Sequence, residues 1–292
     1  MPVFPNSELI LTPGGRIYHL NLHPSEVAPV VITVGDPGRV PRVSRHFDRI
    51  DTKVQKREFV THTGWIGAQR ITVISSGIGP DNIDIVLNEL DALVNIDFET
   101  RQPRTQLRAL DIIRIGTTGG LQPDIPVDSF VVSRFGIGLD NMMHFYQRSP
   151  TLSEAELYDD LRDYLQYAGQ LPTEPYICEA NRELVAAVAK KDLPTGITLT
   201  CPGFYGPQGR RLRGGSALHP DWLHRLSKFQ HKELAVTNLE MESAAIFGMA
   251  RLLGHRATSC NAIIANRATH TFSKAPKETV DRLIETVLER IT

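Results

Sequence analysis

The chain has 292 residues, 41% of them hydrophobic, enough to bury a substantial core within one large domain. Lysine and arginine number 32 against 33 aspartates and glutamates, a formal net charge of −1, which excludes the basic footprint of a nucleic-acid binder and requires any anion site to be built locally from a few arginines. The longest apolar stretches have strand length, which excludes a membrane-spanning helix, and the three cysteines, Cys178, Cys201 and Cys260, lack metal-ligand spacing and fit reduced, buried thiols in the cytoplasm.

The first residues lack a charged region followed by an apolar run, so no signal peptide is expected. Residues 1–26 are polar and punctuated by proline and glycine, and read as an arm over the surface. Residues 30–34 form a buried-type strand that runs into the turn Gly35-Asp36-Pro37-Gly38-Arg39, with a short helix at 40–47. Residues 58–62 and 70–75 read as strands joined through 63–67. After the tight turn at 76–80, residues 81–94 form an amphipathic helix with Ile83, Val86, Leu87, Leu90 and Val94 on one stripe. Residues 111–115 and 129–132 are further strands. The stretch 140–175 reads as an excursion carrying a helix from near Ser153, with Glu156 as capping-box partner. Strands at 176–178 and 196–200 enclose a helix at 181–190. A glycine-rich loop at 201–215, a helix near 221–228 and a strand end at 234–236 follow. Asn238 is positioned to cap the next helix, whose apolar residues Ala245, Met249 and Leu252 recur at helical spacing. A strand at 257–265 and a helix at 277–291 close the chain. This alternation predicts an α/β fold over 1–292, a single domain with a central mixed twisted sheet flanked by helices on both faces. Ligands of such sheets collect at the carboxyl ends of strands, where the glycine-rich turns lie.

Four motifs carry chemistry. In Gly35-Asp36-Pro37-Gly38-Arg39, glycine lets backbone N–H groups approach an anion, and Arg39 can fork two oxygens of a phosphate. The alternative is an ordinary β-turn with a surface arginine. In Arg114-Ile115-Gly116-Thr117-Thr118-Gly119-Gly120, an arginine inside an apolar strand calls for an anionic partner, a ligand or a structural carboxylate. Two hydroxyls and a run of N–H groups follow it as an oxyanion cradle without the lysine of a P-loop. Gly77-Ile78-Gly79 is not a dinucleotide fingerprint, because Asn82 stands where the third glycine belongs. In Phe204-Tyr205-Gly206-Pro207-Gln208-Gly209-Arg210, Gln208 offers the donor and acceptor that a cyclic imide edge needs, Arg210 suits a carbonyl oxygen gaining negative charge, and Phe204 can stack on a ring. The competing reading is a flexible surface loop. Glu240-Met241-Glu242 sets two carboxylates around a methionine at a helix mouth. Glu242 can accept from vicinal sugar hydroxyls with Met241 under the sugar, or both acids are there because a helix N-terminus favours negative charge.

Together the motifs G-D-P-x-R, R-I-G-T-T-G, F-Y-x-x-Q-x-R and E-M-E, in this order, resemble the nucleoside phosphorylases of the trimer-or-hexamer type, and within them the uridine phosphorylases, from about His19 to the C-terminus. The resemblance implies reversible phosphorolysis of uridine, with deoxyuridine and thymidine as further candidates, to uracil and ribose 1-phosphate in pyrimidine salvage. It implies phosphate binding by Gly35, Arg39, Arg114 and Thr117, with Arg57 contributed by a neighbouring subunit. Uracil would be held by Phe204, Gln208 and Arg210. Ribose would be held by Glu240, Met241 and Glu242, with His19 of a neighbour on the 5′-hydroxyl. On residues alone His19 reads as a surface histidine. Arg210, Gln208, Arg114 and Glu242 are the catalytic set so implied. No cofactor is implied beyond phosphate as co-substrate and no metal does chemistry, although a monovalent cation near Glu58 between subunits fits some bacterial relatives. A homo-oligomer, hexamer or dimer, follows from sites shared across an interface. Purine-specific relatives place an aspartic acid where this chain has Ile264-Ala265-Asn266-Arg267, and Arg267 instead suits charge on a pyrimidine carbonyl. The alternatives are a broader or purine-directed phosphorylase and a catalytically idle nucleoside-binding relative.

Overall fold

The apolar run Val30–Val34 forms the first strand, β1, buried along nearly its whole length. In this computed structural model residues 3–169 and 171–292 are described; of the arm and the 140–175 stretch, residues 1, 2 and 170 lie outside them. The chain forms two compact units, Met1–Arg114 with Met249–Ala257 and Thr292, and Ile115–Gly248 with Thr258–Ile291.

In the first unit β1 is followed by α1 (Val40–Ser44), β2 (Arg49–Lys56), β3 (Phe59–Ile66), β4 (Gln69–Ser75) and α2 (Pro80–Asn95). The short strands β5 (Ile96–Asp97) and β6 (Gln102–Pro103) and the start of β7 (Asp111–Gly120) come next. β1 lies between parallel neighbours, with Val30 opposite Ile71 of β4 and Asp111 of β7. β3 pairs antiparallel with β4, and β2 with β3. Two expectations change here. Residues 63–67 are not a connection: β3 runs through to Ile66, and Gly64 lies against the backbone of Arg49 and the Phe47 ring, where β2 shifts register between Ile50 and Thr52. A glycine at such a bulge marks close approach of backbone, not a turn. The arm, in turn, does not simply lie over the surface, because Leu20 and Leu22 are fully buried and Leu9 and Ile17 nearly so.

The second unit continues β7 and adds β8 (Phe130–Gly138), α3 (Leu152–Ala168), β9 (Tyr176–Glu179), α4 (Arg182–Ala189) and β10 (Thr195–Thr200). It goes on through α5 (Trp222–Leu226), β11 (Gln230–His231), β12 (Leu234–Glu240), α6 (Ser243–Leu252), β13 (Arg256–Asn266), β14 (Thr271–Phe272) and α7 (Pro276–Ile291). β10 pairs parallel with both β8 and β12, whereas β13 and β9 run antiparallel to β8, so the sheet is mixed as expected. The helix at 140–175 is part of the core: Leu157 and Leu161 of α3 are fully buried among Ile137, Ile177, Trp222 and Phe229. Its cap lies two residues earlier than the spacing suggested. The Thr151 side chain accepts from Glu154 N–H, and Glu154 reaches back to Thr151 N–H. Among the described residues no helix is long and apolar enough to cross a membrane.

One close approach yields a stability test. A Cβ on Gly138 would lie 2.1 Å from a Tyr176 ring carbon, and that ring cannot retreat, since its hydroxyl donates to both oxygens of buried Asp140 at 2.9 and 2.8 Å. Gly138→Ala is expected to cost about 3 kcal/mol through overpacking, seen as a lower urea midpoint at unchanged slope. An unshifted midpoint would show that the ring can move aside.

Candidate active site

In the first unit, β1 ends in the Gly35–Arg39 segment. Proline fixes its first helical residue, and Asp36 accepts from Gly38 N–H at 2.9 Å, closing a tight 3₁₀ turn. Gly35 packs against the Gly77 carbonyl, which belongs to the turn after β4. Arg114, inside β7, lies opposite Thr33 in the β1–β7 register, so it stands beside the carboxyl end of β1, which runs on into Gly35 and Arg39. Arg39 and Arg114 are both buried. This is the position at which α/β sheets gather ligands. Arg57 is exposed, with φ +54°, in the turn between β2 and β3. Its neighbour Glu58 anchors that turn through a bond from Ser75 Oγ to its carbonyl, 2.5 Å long. His19 is no loose surface histidine: its backbone N–H donates to Glu89 of α2 at 2.9 Å, and its Nδ1 lies 2.7 Å from the same carboxylate.

In the second unit the cradle at 116–120 proves to be strand. β7 continues through Gly120, and Gly119 and Gly120 pair with Leu239 and Asn238 of β12. Glycine here admits packed side chains rather than a turn, since a Cβ on Gly120 would press on Ile263 at 3.1 Å and Asn266 at 3.3 Å. Thr118 is committed to structure, donating to the Leu239 carbonyl at 2.6 Å, while Thr117 is half-buried.

The loop after β10 makes a tight cluster. Gln208, 2% exposed, ends the 3₁₀ turn Gly206–Gln208, and Gly209 takes the left-handed conformation at φ +70°. Arg210 Nη1 donates to Gln208 Oε1 at 2.5 Å and to the Phe204 carbonyl at 2.7 Å. Its guanidinium stacks 3.7 Å above the Phe204 ring, which is half exposed. Arg267 Nη1 donates to the Gln208 carbonyl at 3.2 Å. Two guanidiniums thus converge on one glutamine. Burial, and then the charge of Arg267, hold the Arg210 pKa below its usual value; burial alone does the same to Arg267. The pattern of Gln208 and Arg210 two apart therefore meant a pair that holds each other, with Phe204 covered by its own arginine. Sequence reasoning did not foresee the donation from Arg267 to Gln208, for which no local spacing gives a signal.

At the end of β12 the sequence expectation shifts by several residues. Asn238 does not cap a helix; it lies within β12, which extends to Glu240, and α6 begins at Ser243. The cap is the Glu240 carboxylate, which accepts from Glu242 N–H at 3.0 Å and Ser243 N–H at 2.9 Å. Thr200 at the end of β10 donates its hydroxyl to Glu240 Oε1 at 2.7 Å and accepts from Ala244 N–H at 2.9 Å. Glu242 is buried and Met241 half-buried beside it. The Cys201 backbone N–H donates to the Glu240 carbonyl, and burial together with the Glu240 charge pushes its thiol pKa up.

The phosphorylase superfamily signature is matched over residues 29–292. The chain is 30% identical to a uridine phosphorylase of Thermococcus kodakarensis, covering 93% of this chain and 85% of that protein. It is 27% identical to a uridine phosphorylase of Haemophilus influenzae, covering 93% and 96%. Among solved structures it is similar to a Trypanosoma brucei nucleoside phosphorylase described as showing uridine phosphorylase activity, with a TM-score of 0.87 and 28% identity over 97% of this chain and 99% of that one.

Gly209 tests the loop. A Cβ there would stand 2.8 Å from Trp222 Nε1 as well as in a left-handed backbone. Gly209→Ala in a Trp65→Phe background is expected to red-shift the remaining tryptophan emission and to destabilise by about 2 kcal/mol. Unchanged emission would mean that the loop yields without disturbing Trp222.

Proposed function

Because the chain belongs to the phosphorylase superfamily, we propose that it catalyses the reversible phosphorolysis of uridine to uracil and ribose 1-phosphate. The observation that carries this choice of base is the convergence of Arg210 and Arg267 on Gln208, at 2.5 and 3.2 Å. A pyrimidine leaving as an anion spreads its charge onto carbonyl oxygens, which guanidiniums stabilise. A leaving purine needs a proton at N7, and the segment Ile264-Ala265-Asn266-Arg267 holds no acid to give it. The names of the relatives point the same way.

In this reading Gly35, Arg39, Arg114 and Thr117 bind phosphate, and Arg57 of a neighbouring subunit completes the set. Phe204, Gln208, Arg210 and Arg267 receive the base. Met241 and Glu242 take the ribose, with a neighbour's His19 at its 5′ end. The exposed position of Arg57 is compatible with service to a second copy, which makes a homo-oligomer, dimer or hexamer, the working unit in the cytoplasm. Inorganic phosphate is the co-substrate, and no further cofactor enters.

The reaction follows from charge. As the glycosidic bond lengthens, the sugar gains oxocarbenium character and the base gains negative charge. Bound phosphate stabilises the first and attacks C1′; the arginines stabilise the second. No covalent enzyme intermediate forms, so catalysis comes from positioning and from electrostatics stronger in the transition state than in the ground state. On binding, the imide edge of uracil exchanges with internal partners: Gln208 and Arg210 release each other and turn to the ring. Glu242 reads the ribose hydroxyls.

The test is spectrophotometric uracil release from uridine, with and without phosphate and beside inosine. Phosphate-dependent loss of uridine with inosine untouched is expected. Turnover without phosphate would reveal a hydrolase, inosine cleavage would sink the base assignment, and binding without turnover would leave an idle relative. Arg210→Ala should lower kcat/KM for uridine by about 10²-fold, by analogy with loss of an oxyanion donor. A loss under about threefold would remove Arg210 from the catalytic set.

A further inference from the structure

Glu240 and Glu242 look equivalent in sequence, two carboxylates flanking Met241, and the structure shows how the first of them is held. Both oxygens of Glu240, 4% exposed, are engaged by the protein itself. Oε2 accepts from Glu242 N–H at 3.0 Å and Ser243 N–H at 2.9 Å, and Oε1 accepts from Ser243 N–H at 3.1 Å and the Thr200 hydroxyl at 2.7 Å. Thr200 completes the ring by accepting from Ala244 N–H at 2.9 Å. The first backbone N–H groups around α6, which a helix cannot satisfy internally, are thereby tied to the last residue of β10 and the last residue of β12. Charge-assisted bonds of this kind are stronger and shorter than neutral ones. The backbone N–H of Glu242 is itself one of the groups held, so the chain direction at Glu242 is set by its neighbour two residues earlier.

We infer that Glu240 is a positioning residue: its carboxylate takes no part in ribose recognition and instead fixes where Glu242 presents its own carboxylate to the sugar. This rests on the uridine phosphorolysis reading for its kinetic arm, and it separates two residues that the motif treats alike. A mere helix cap would stabilise the fold without bearing on which substrate group is read. A positioning residue acts through Glu242 and therefore vanishes from the kinetics once Glu242 is neutralised.

The test is a double-mutant cycle on the full chain with Glu240→Gln, Glu242→Gln and the double variant, read as kcat and KM for uridine. Gln keeps the shape of Glu240 but loses its charge and sets an NH₂ group where an oxygen accepted. Glu240→Gln is expected to raise KM for uridine about tenfold, the effect of weakening one bond to a charged acceptor. In the double variant Glu240→Gln should add no further loss to that of Glu242→Gln. Losses that multiply would mean that Glu240 touches the substrate itself. A fall in kcat with KM unchanged would mean a smaller folded fraction and a structural cap only. Crystal structures of the wild type and Glu240→Gln give a readout independent of activity: the Glu242 carboxylate should move by about 1 Å or more, a displacement of the size that degrades positioned groups, and a Glu242 that stays in place would overturn the inference. Should Glu240→Gln fail to fold, Thr200→Val loosens the same carboxylate from the other side and is read in the same way. A wild type that releases no uracil sinks the phosphorolysis reading alone, and the crystallographic comparison still decides the role of Glu240.

Discussion

The ends of the strands in the second unit depend on a chain of buried side-chain hydrogen bonds. Asn261 Nδ2 donates to Ser259 at 2.9 Å and, more weakly, to Ser133 at 3.4 Å. The Ser133 hydroxyl meets Thr198 at 2.6 Å, Thr198 donates to Asn238 Oδ1 at 2.9 Å, and Asn238 Nδ2 donates to Thr118 Oγ1 at 2.9 Å. Thr118 closes the run on the Leu239 carbonyl. The chain passes through β13, β8, β10, β12 and β7, and most of its members are wholly buried. Such groups cost stability unless each finds a partner, and when each does they select one register among alternatives. The register needs selecting here, because β10 is irregular against both neighbours, between Gly196 and Ile197 toward β8 and between Ile197 and Thr198 toward β12. A slip of one residue would turn Thr198 and Asn238 away from each other. It would also misplace Thr200 and Glu240 at the strand ends.

What the sequence disclosed follows from this. Continuous apolar strands and the one-sided helix α2 were legible, since burial on a regular period leaves a periodic trace. β2 carried only a faint one: it is an edge strand with no buried residue, in which Ile50, Thr52 and Val54 alternate with Arg49, Asp51 and Lys53, charges that protect an open edge more than they announce a strand. Asn238 was misread for a related reason. Asparagine before an apolar run is a good local signal for a helix cap, but in this chain it is a core residue whose amide is consumed by strands far away in sequence. The glycines of β7 were misread because glycine signals both turns and close packing, and only a neighbour decides which. The Phe204–Arg210 motif was legible as a set of residues, yet its internal pairing was not, because spacing cannot say whether two groups face a ligand or each other.

The electrostatics suit a chain of nearly zero net charge. With no broad positive field over the chain, cationic groups must act locally, as in the pair Arg210 and Arg267, whose pKa values burial pushes down. Arginine keeps its charge under such pressure where lysine would titrate. Two partly desolvated guanidiniums near one amide gain more from an arriving or developing negative charge than the same pair in water. Under the proposed reading such an arrangement acts late, when charge builds on a leaving group, rather than early, when a neutral nucleoside binds.

The unliganded cluster also bears on selectivity. Arg210 is satisfied by Gln208 Oε1, the Phe204 carbonyl and the face of the Phe204 ring. Under the proposed reading a ligand must replace these contacts with equivalents of its own. Uracil offers two carbonyl oxygens and an N–H between them, and so can take over both the acceptor that Arg210 gives up and the donor that Gln208 Oε1 loses. A ring lacking the imide edge would leave Gln208, almost fully buried, with a stranded polar group. Sites that must break internal hydrogen bonds to admit a ligand reject analogues that cannot restore them far more strongly than apolar pockets do. Discrimination among bases then resides less in the shape of the cavity than in the exchange between Gln208 and Arg210, with Arg267 holding the Gln208 backbone in place through its carbonyl while the side chain changes partner.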